Sequence, residues 1–251
     1  MEGGLKVLRN TQIIILGICF AVATIVSTVI LSKGLLQIKK FSNEVIDVTG
    51  SAEKKIVSDY IVWESAFTVR NPVLKTAYAE LREDLGKVKA YFLGQGIKED
   101  ELIVNQATTQ TLYEKTEEGH DTNEVVGYKV AQSIEVRSFD VKKVMDISRK
   151  STELLDQDVQ FISGVPEYFY TKLAELKVEM LAMATENAKE RAKSMAASTG
   201  NKIGLMRSAK MGIFQITPVN SYDVSWYGNN DTSSYEKKVM AVVNVTFAIG
   251  G

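Results

Sequence analysis

Hydrophobic and polar positions follow one another along this chain in blocks, and the period of each block predicts an element. From Ile13 to Leu31 the sequence IIILGICFAVATIVSTVIL carries no charge, and at about 1.5 Å per residue its 19 positions nearly match a hydrocarbon core of roughly 30 Å. This predicts a transmembrane anchor over 13–32, after a short tail at 1–12 and before a juxtamembrane linker at 33–42. Residues 45–49 predict a strand ending at Gly50. Residues 57–69 then alternate with a period of two, placing Val57, Ile61, Trp63, Phe67 and Val69 on one face. Trp63 is thereby assigned to the core. Asn71-Pro72 stops this strand, and Leu74, Ala77, Tyr78, Leu81, Leu85, Val88 and Phe92 recur at helical spacing through 73–93, ended by Gly94 and Gly96.

Ile103 to Leu112 and Val125 to Val136 read as a long hairpin around the polar turn EKTEEGHDTNE. Asp140 is placed to cap a helix over 141–155, and a strand near 158–165 follows. The longest soluble helix is expected at 168–199, with an alanine-rich stripe and Gly200 as its stop. A strand at 202–216 and a closing strand at 237–249 complete the chain. The closing strand is apolar on both faces, so it is central or covered on both sides. The fold class is α+β, with helices packed on antiparallel or mixed sheets and a single transmembrane helix in front. The soluble domain is 43–251, divisible into 43–137 and 138–251.

The formal charge of -1 hides an asymmetry: residues 1–40 carry Lys6, Arg9, Lys33, Lys39 and Lys40 against Glu2 alone. The remainder is mildly acidic and has no basic stripe, which excludes nucleic acid as a partner. Cys19 is the only cysteine and lies in the apolar stretch, so no intramolecular disulfide forms. Ile18 before it is too bulky for lipoprotein processing. A signal peptide cleaved near Ala21-Val22-Ala23 is the rival to an anchor, but the apolar run continues through Ile25, Val26, Val29, Ile30 and Leu31 and favours the uncleaved helix. Basic residues flank both ends, so charge does not settle orientation. The expected arrangement is a short tail inside and the large domain outside.

Candidate chemistry is sparse. His120 is the only histidine and sits in a charged turn, where a solvated side chain is the ordinary state. With one histidine and one membrane-buried cysteine, the usual zinc sites are absent, no serine has a nucleophile-elbow context, and Gly94-Gln95-Gly96 ends a helix instead of opening one over a phosphate. No catalytic residue, metal or cofactor is expected. The sequence PVNSYDVSWYGNNDTSSYE does stand out, because Tyr222, Trp226, Tyr227 and Tyr235 lie among Asn, Ser, Gly and Asp, a mixture common at contact surfaces.

Several local motifs resemble the SIMPL-domain family over about residues 43–250. VIDVTGSAEKKIVSDYIVW is similar to the family's opening strands, with Val48, Thr49, Gly50 and Asp59 matching and Ser58 where proline is usual. LGQGIKEDELIVNQ and GYKVAQSIEVRSFDVKKV resemble later segments. ENAKERAKSMAASTGNKIGLM resembles the family's Ala- and Arg-rich helix, through Ala188, Arg191, Ala192, Ala196, Gly200 and Gly204. Gly50, Gly96, Gly200 and Gly204 are expected at structural turns. The resemblance implies an exported bacterial protein, periplasmic or surface-exposed, with a tendency to ring-like or channel-like homo-oligomers and a loose link to envelope or oxidative stress. It carries over no catalytic residue. Many relatives look secreted, so an uncleaved anchor is a departure.

The first function expected is a homo-oligomeric scaffold or channel-like assembly at the cell envelope, single-pass in the membrane, with the large domain extracytoplasmic. Its contacts would use sheet edges or the 217–236 loop. The second is a binding module for a small envelope ligand, with the aromatic loop as lid or wall. An enzyme is not expected. The protein or small-molecule partner is unknown from sequence.

Overall fold

The computed structural model describes residues 2–250, with side chains at 14–38 and 44–250. Helix α1 (Glu2–Asn43) includes the apolar stretch Ile14–Ile38, whose 25 residues are long and apolar enough to cross a membrane. The linker expected at 33–42 is therefore helical, as a stretch rich in Leu, Ile, Lys and Gln and free of proline allows.

The chain divides into two compact units, and neither is a continuous stretch. One comprises Met1–Ser51, Met183–Gly212 and Val242–Gly251; the other comprises Ala52–Ala182 and Ile213–Ala241. A division at 137/138 is thus not the one the chain adopts, because β10 (Glu236–Gly250) returns to lie between β1 (Val45–Val57) and β8 (Lys202–Met211).

In the first unit, β10 pairs β8 antiparallel from Val243↔Met211 to Gly250↔Lys202, with irregularities on either side of Phe247. Val243, Val245 and Phe247 are buried, and so are Ala184, Ala188, Ala192 and Ala196 of α4 (Leu173–Ser198). Four-residue spacing puts these small side chains on one helix stripe, which permits close approach to a sheet. The approach is closest at Gly50, where an added Cβ would lie 2.1 Å from the Ala184 carbonyl oxygen. Gly50, expected to end a strand at a turn, instead lies within β1. The glycine is there to admit a helix, not to reverse the chain.

The second unit holds an antiparallel sheet of order β3-β5-β2-β6, with β4 also on β5 and β7 also on β2. Its strands are β2 (Tyr60–Asn71), β3 (Leu102–Val104), β4 (Thr108–Lys115), β5 (Asp121–Ser138), β6 (Phe161–Ser163) and β7 (Glu167–Phe169). The strand expected at 103–112 is two, interrupted where Asn105 N–H bonds the Ser133 carbonyl at 3.0 Å. The strand expected at 158–165 is β6 alone, and β7 occupies the first residues assigned to helix α4. Tyr168 lies opposite Ile61 in the sheet, so the helix begins only at Leu173.

Ile61, Trp63 and Phe67 of β2 and Val130, Ile134 and Val136 of β5 form the core with α2 (Leu74–Gly94) and α3 (Val141–Lys150). Asp140 caps α3 as expected, accepting from Lys143 N–H at 3.2 Å, but the helix yields at Lys150 to a 3-10 stretch, Ser151–Gln157, closed by Asp158 at φ 60°. The alternate residues of β2 and β5 point away from these helices, and none of Val62, Glu64, Ala66, Thr68, Arg70, Lys129, Ala131, Ser133, Glu135 or Arg137 is buried.

Two predictions arise from this core. Gly86 lies exposed inside α2 with nothing within 4 Å of an added Cβ, so Gly86→Ala should raise stability by about 0.5–1 kcal/mol in urea denaturation. Tyr91 donates to Glu153 Oε2 at 3.2 Å, and burial, then the charge and hydrogen bond of Glu153, push its phenol up to about 12 from 10.0. The raised value means this contribution to stability is full below pH 10 and is lost as pH rises toward 12. Denaturation midpoints across that window should therefore fall more steeply for the wild type than for Tyr91→Phe.

Candidate interaction surfaces

No group of three or more His, Cys, Asp or Glu that could hold a metal ion occurs among the described residues. His120 lies exposed in the β4–β5 turn, where its N–H meets Thr116 Oγ1 at 3.2 Å. Three surfaces carry the informative geometry instead: an edge strand, an aromatic loop and an open sheet face.

The edge strand is β8. Among the described residues it pairs only with β10, every residue but Ile203 is exposed, and Leu205 (79%), Met206 and Met211 present apolar side chains to solvent. The family-like glycine Gly204 lies within this strand, not at a turn. An added Cβ there would meet Ala248 Cβ at 3.2 Å. Gly200, just before it, has φ +77° and ends α4; Gly96 has φ +84° after α2, a conformation that favours glycine.

The loop after β9 (Gln215–Pro218) is ordered by two buried polar side chains. Gln215 donates to the Ser225 carbonyl at 2.8 Å and accepts from Ser225 N–H at 3.2 Å and Asn229 N–H at 2.9 Å, bracing the base of the loop. Gly228, at φ +87°, lets the chain pass Phe214, whose carbonyl an added Cβ would meet at 2.9 Å. Lys237, 3% exposed, donates to the carbonyls of Tyr168 and Asp231 and ties the far end of the loop to β7.

Burial pushes the Lys237 ammonium below its ordinary value, and the charges of Asp231 and Glu167 offset part of that effect. Burial acts upward on the Asp231 carboxyl, and hydrogen bonds led by Ser233 outweigh it, leaving the group lowered. Neither Gln215 nor Lys237 stood out in the sequence. A polar residue opening a short strand and one lysine of a Lys-Lys pair carry no local signal of burial.

The base holds the tip outward: Tyr222, Trp226 and Tyr227 are 90%, 91% and 96% exposed, with the Lys238 ammonium 5.1 Å from the Tyr222 ring centroid. Tyr235 does not join them. Its ring packs edge-on against Tyr168 at 6.0 Å, and its carbonyl accepts from Ser58 N–H at 2.9 Å. The four aromatics that the sequence grouped are thus three displayed side chains and one structural one.

These features define an α+β module bearing a membrane-length helix and presenting strand edges, a braced loop and an open sheet face. The chain belongs to the SIMPL family, described as a protein of unknown function (DUF541), whose sequence profile matches residues 46–247. No curated protein matches. Among solved structures, the chain is similar to an amidase of the hydantoinase/carbamoylase family from Burkholderia phymatum at 13% identity and TM-score 0.30. It is also similar to a hydantoinase/carbamoylase family amidase from Burkholderia ambifaria at 10% identity and TM-score 0.26. Each likeness covers 51% of this chain and 34% of the amidase, so the chain spans about a third of those enzymes' length. Similarity this low carries no argument about activity.

Proposed function

We propose that this chain is a non-catalytic envelope scaffold, anchored by α1 with its large domain on the extracytoplasmic side, that works by associating with copies of itself. The observation that supports this reading is the open edge of β8. A ten-residue strand with no strand partner on its second side among the described residues is a template for further pairing, and its exposed Leu205, Met206 and Met211 lie among the cations Lys202, Arg207 and Lys210, which select against indiscriminate pairing. Self-association covers the edge and removes Leu205, Met206 and Met211 from water.

The test is light scattering on the full-length protein in mild detergent. A discrete assembly larger than the monomer is expected. Leu205→Lys combined with Met206→Lys, which places charge on the edge at two exposed positions, should lower the mass without lowering the melting temperature. A wild-type monomer at every concentration would end the scaffold reading.

The displayed loop favours a second reading, a contact site for a small envelope ligand or a protein partner. Trp226→Ala with Tyr227→Ala removes two exposed rings and should change stability by less than about 0.5 kcal/mol. A loss of assembly would place the loop at a subunit contact. Unchanged assembly with loss of binding to envelope extracts would point to ligand capture, and no change in either would remove the loop from both roles.

A further inference from the structure

The open face of the six-stranded sheet carries a charge pattern that matches itself after a two-fold rotation. β2 and β5 run antiparallel without irregularity from Ile61↔Ser138 to Asn71↔Tyr128, and this register sets two like-charged pairs directly opposite each other: Glu64↔Glu135 and Arg70↔Lys129. Like charges in directly opposed positions destabilise a sheet. Arg137 pairs with Glu135 and relieves one member, whereas Glu64, Arg70 and Lys129 have no ion-pair partner among the described residues. The acidic and basic pairs are six residues apart on one face, on the order of 20 Å at roughly 3.3 Å per residue. Between them on β2 and β5 lie only Ala66, Thr68, Ala131 and Ser133, all small, with Ile162 of β6 beside Ala66.

The midpoint of this pattern is the pair Phe67↔Gln132. A two-fold axis across the strands at that level lays β2 over β2 and β5 over β5 of a second copy. Glu64 then faces Arg70 of the other copy, Glu135 faces Lys129, and each contact occurs twice. Ala66 faces Thr68, and Ala131 faces Ser133, so the centre admits a close approach of the two sheets. Aligned sheets cross at about 30°. At the ends of a face about 20 Å long this displaces opposed positions by roughly 5 Å, within reach of Arg, Lys and Glu side chains. The acidic end is also recessed, with a groove of about 510 Å³ lined by Val62, Glu64, Ala66, Glu135, Ile162 and Val165 that can receive the basic end of the partner.

We infer that this face is an isologous docking surface for a second copy of the chain, held by the reciprocal contacts Glu64–Arg70 and Glu135–Lys129. The two like-charged pairs, a cost to the lone sheet, become four opposite-charged contacts in the pair. β5 and β2, flanked by the short strands β3 and β4 on one side and β6 and β7 on the other, give four columns about 4.8 Å apart and some nine residues long, a face on the order of 1,100 Å² over both copies, enough for a specific interface. The inference rests on the self-association proposed above and names a surface for it separate from the β8 edge.

The experiment uses two variants of the full-length protein in detergent, one with acidic residues at all four positions (Arg70→Glu with Lys129→Glu) and one with basic residues at all four (Glu64→Lys with Glu135→Lys). Each alone should show about half the wild-type mass by light scattering. An equimolar mixture should regain the wild-type mass, since the two faces complement each other, and this recovery also establishes that both variants are folded. Wild-type mass retained by both variants overturns the face while leaving self-association through another surface. Halved masses with no recovery on mixing overturn the reciprocal pairing, and a monomeric wild type overturns the face together with the scaffold reading.

Discussion

Gly50→Val is expected to be among the most damaging single substitutions in the soluble domain. A Cβ at this position would sit 2.1 Å from the Ala184 carbonyl oxygen and 2.6 Å from both Ala188 N and Ala188 Cβ. These are helix backbone atoms and a methyl group without rotamers, so no side chain can swing aside. Strain is relieved only if α4 lifts, and lifting exposes Ala184, Ala188, Ala192 and Ala196, each now 1% exposed or less. Overpacking in a core costs about 1–3 kcal/mol, and contact with rigid backbone lies at or beyond the upper end. Against a total stability of about 5–15 kcal/mol, a loss of about 3 kcal/mol lowers the melting temperature by roughly 6–12 °C in a domain of this size. Gly50→Ala should show much of the effect and Gly94→Ala almost none, because nothing lies within 4 Å of the latter. A Gly50→Ala protein melting within a degree of wild type would refute the close-packing account.

Trp63→Ala should be comparably severe for the opposite reason, since it leaves a void. The ring is fully buried, edge-on to Phe92 at 5.3 Å and to Phe161 at 6.4 Å, and its Nε1–H reaches Ser163 Oγ and the Gly164 carbonyl, each at 3.2 Å. Truncating a buried Trp to Ala costs about 3–5 kcal/mol, because the surrounding atoms collapse only partly into the space. Trp63→Phe keeps most of the volume and should cost less. The chain has two tryptophans, one buried and one 91% exposed, so emission reports on each. Trp63→Phe should shift the mean emission to the red and leave a signal that aqueous quenchers suppress completely. A blue-shifted, protected residue from Trp226 would instead mean that the loop is covered.

The sequence exposed the core face of β2 because burial on one side of a strand leaves a period of two, and Trp63 fell on that face without ambiguity. It also exposed α2, the hairpin, the Asp140 cap and the apolar helix, each of which depends on residues within a turn or two of one another. The start of α4 is later than expected, and the strands expected at 103–112 and 202–216 each break in two, near Asn105 and after Met211. In those places a local pattern of acceptable helix or strand formers yielded to pairing with another segment: Tyr168 with Ile61, and Gly212 N–H with the Val242 carbonyl at 2.8 Å. The loop was visible as composition, but its division into three displayed rings and a packed Tyr235 was not, because Gln215 and Lys237 act only through folded contacts.

What the sequence determined by itself is therefore most of the elements, the core face of β2 from Ile61 to Val69 (though not Val57, which ends β1 half exposed) and membership of the family, since hydration and backbone sterics act over a few residues and leave their period in the chain. Tertiary structure alone decided that each unit is assembled from separated stretches of chain, that Gly50 admits a helix instead of turning the chain, and that β8 is left as an edge. It also decided that Glu64 meets Glu135 and Arg70 meets Lys129. Each of these depends on register between segments far apart in the chain, and register is chosen by the sum of packing and hydrogen bonds over whole strands, a quantity no single stretch carries.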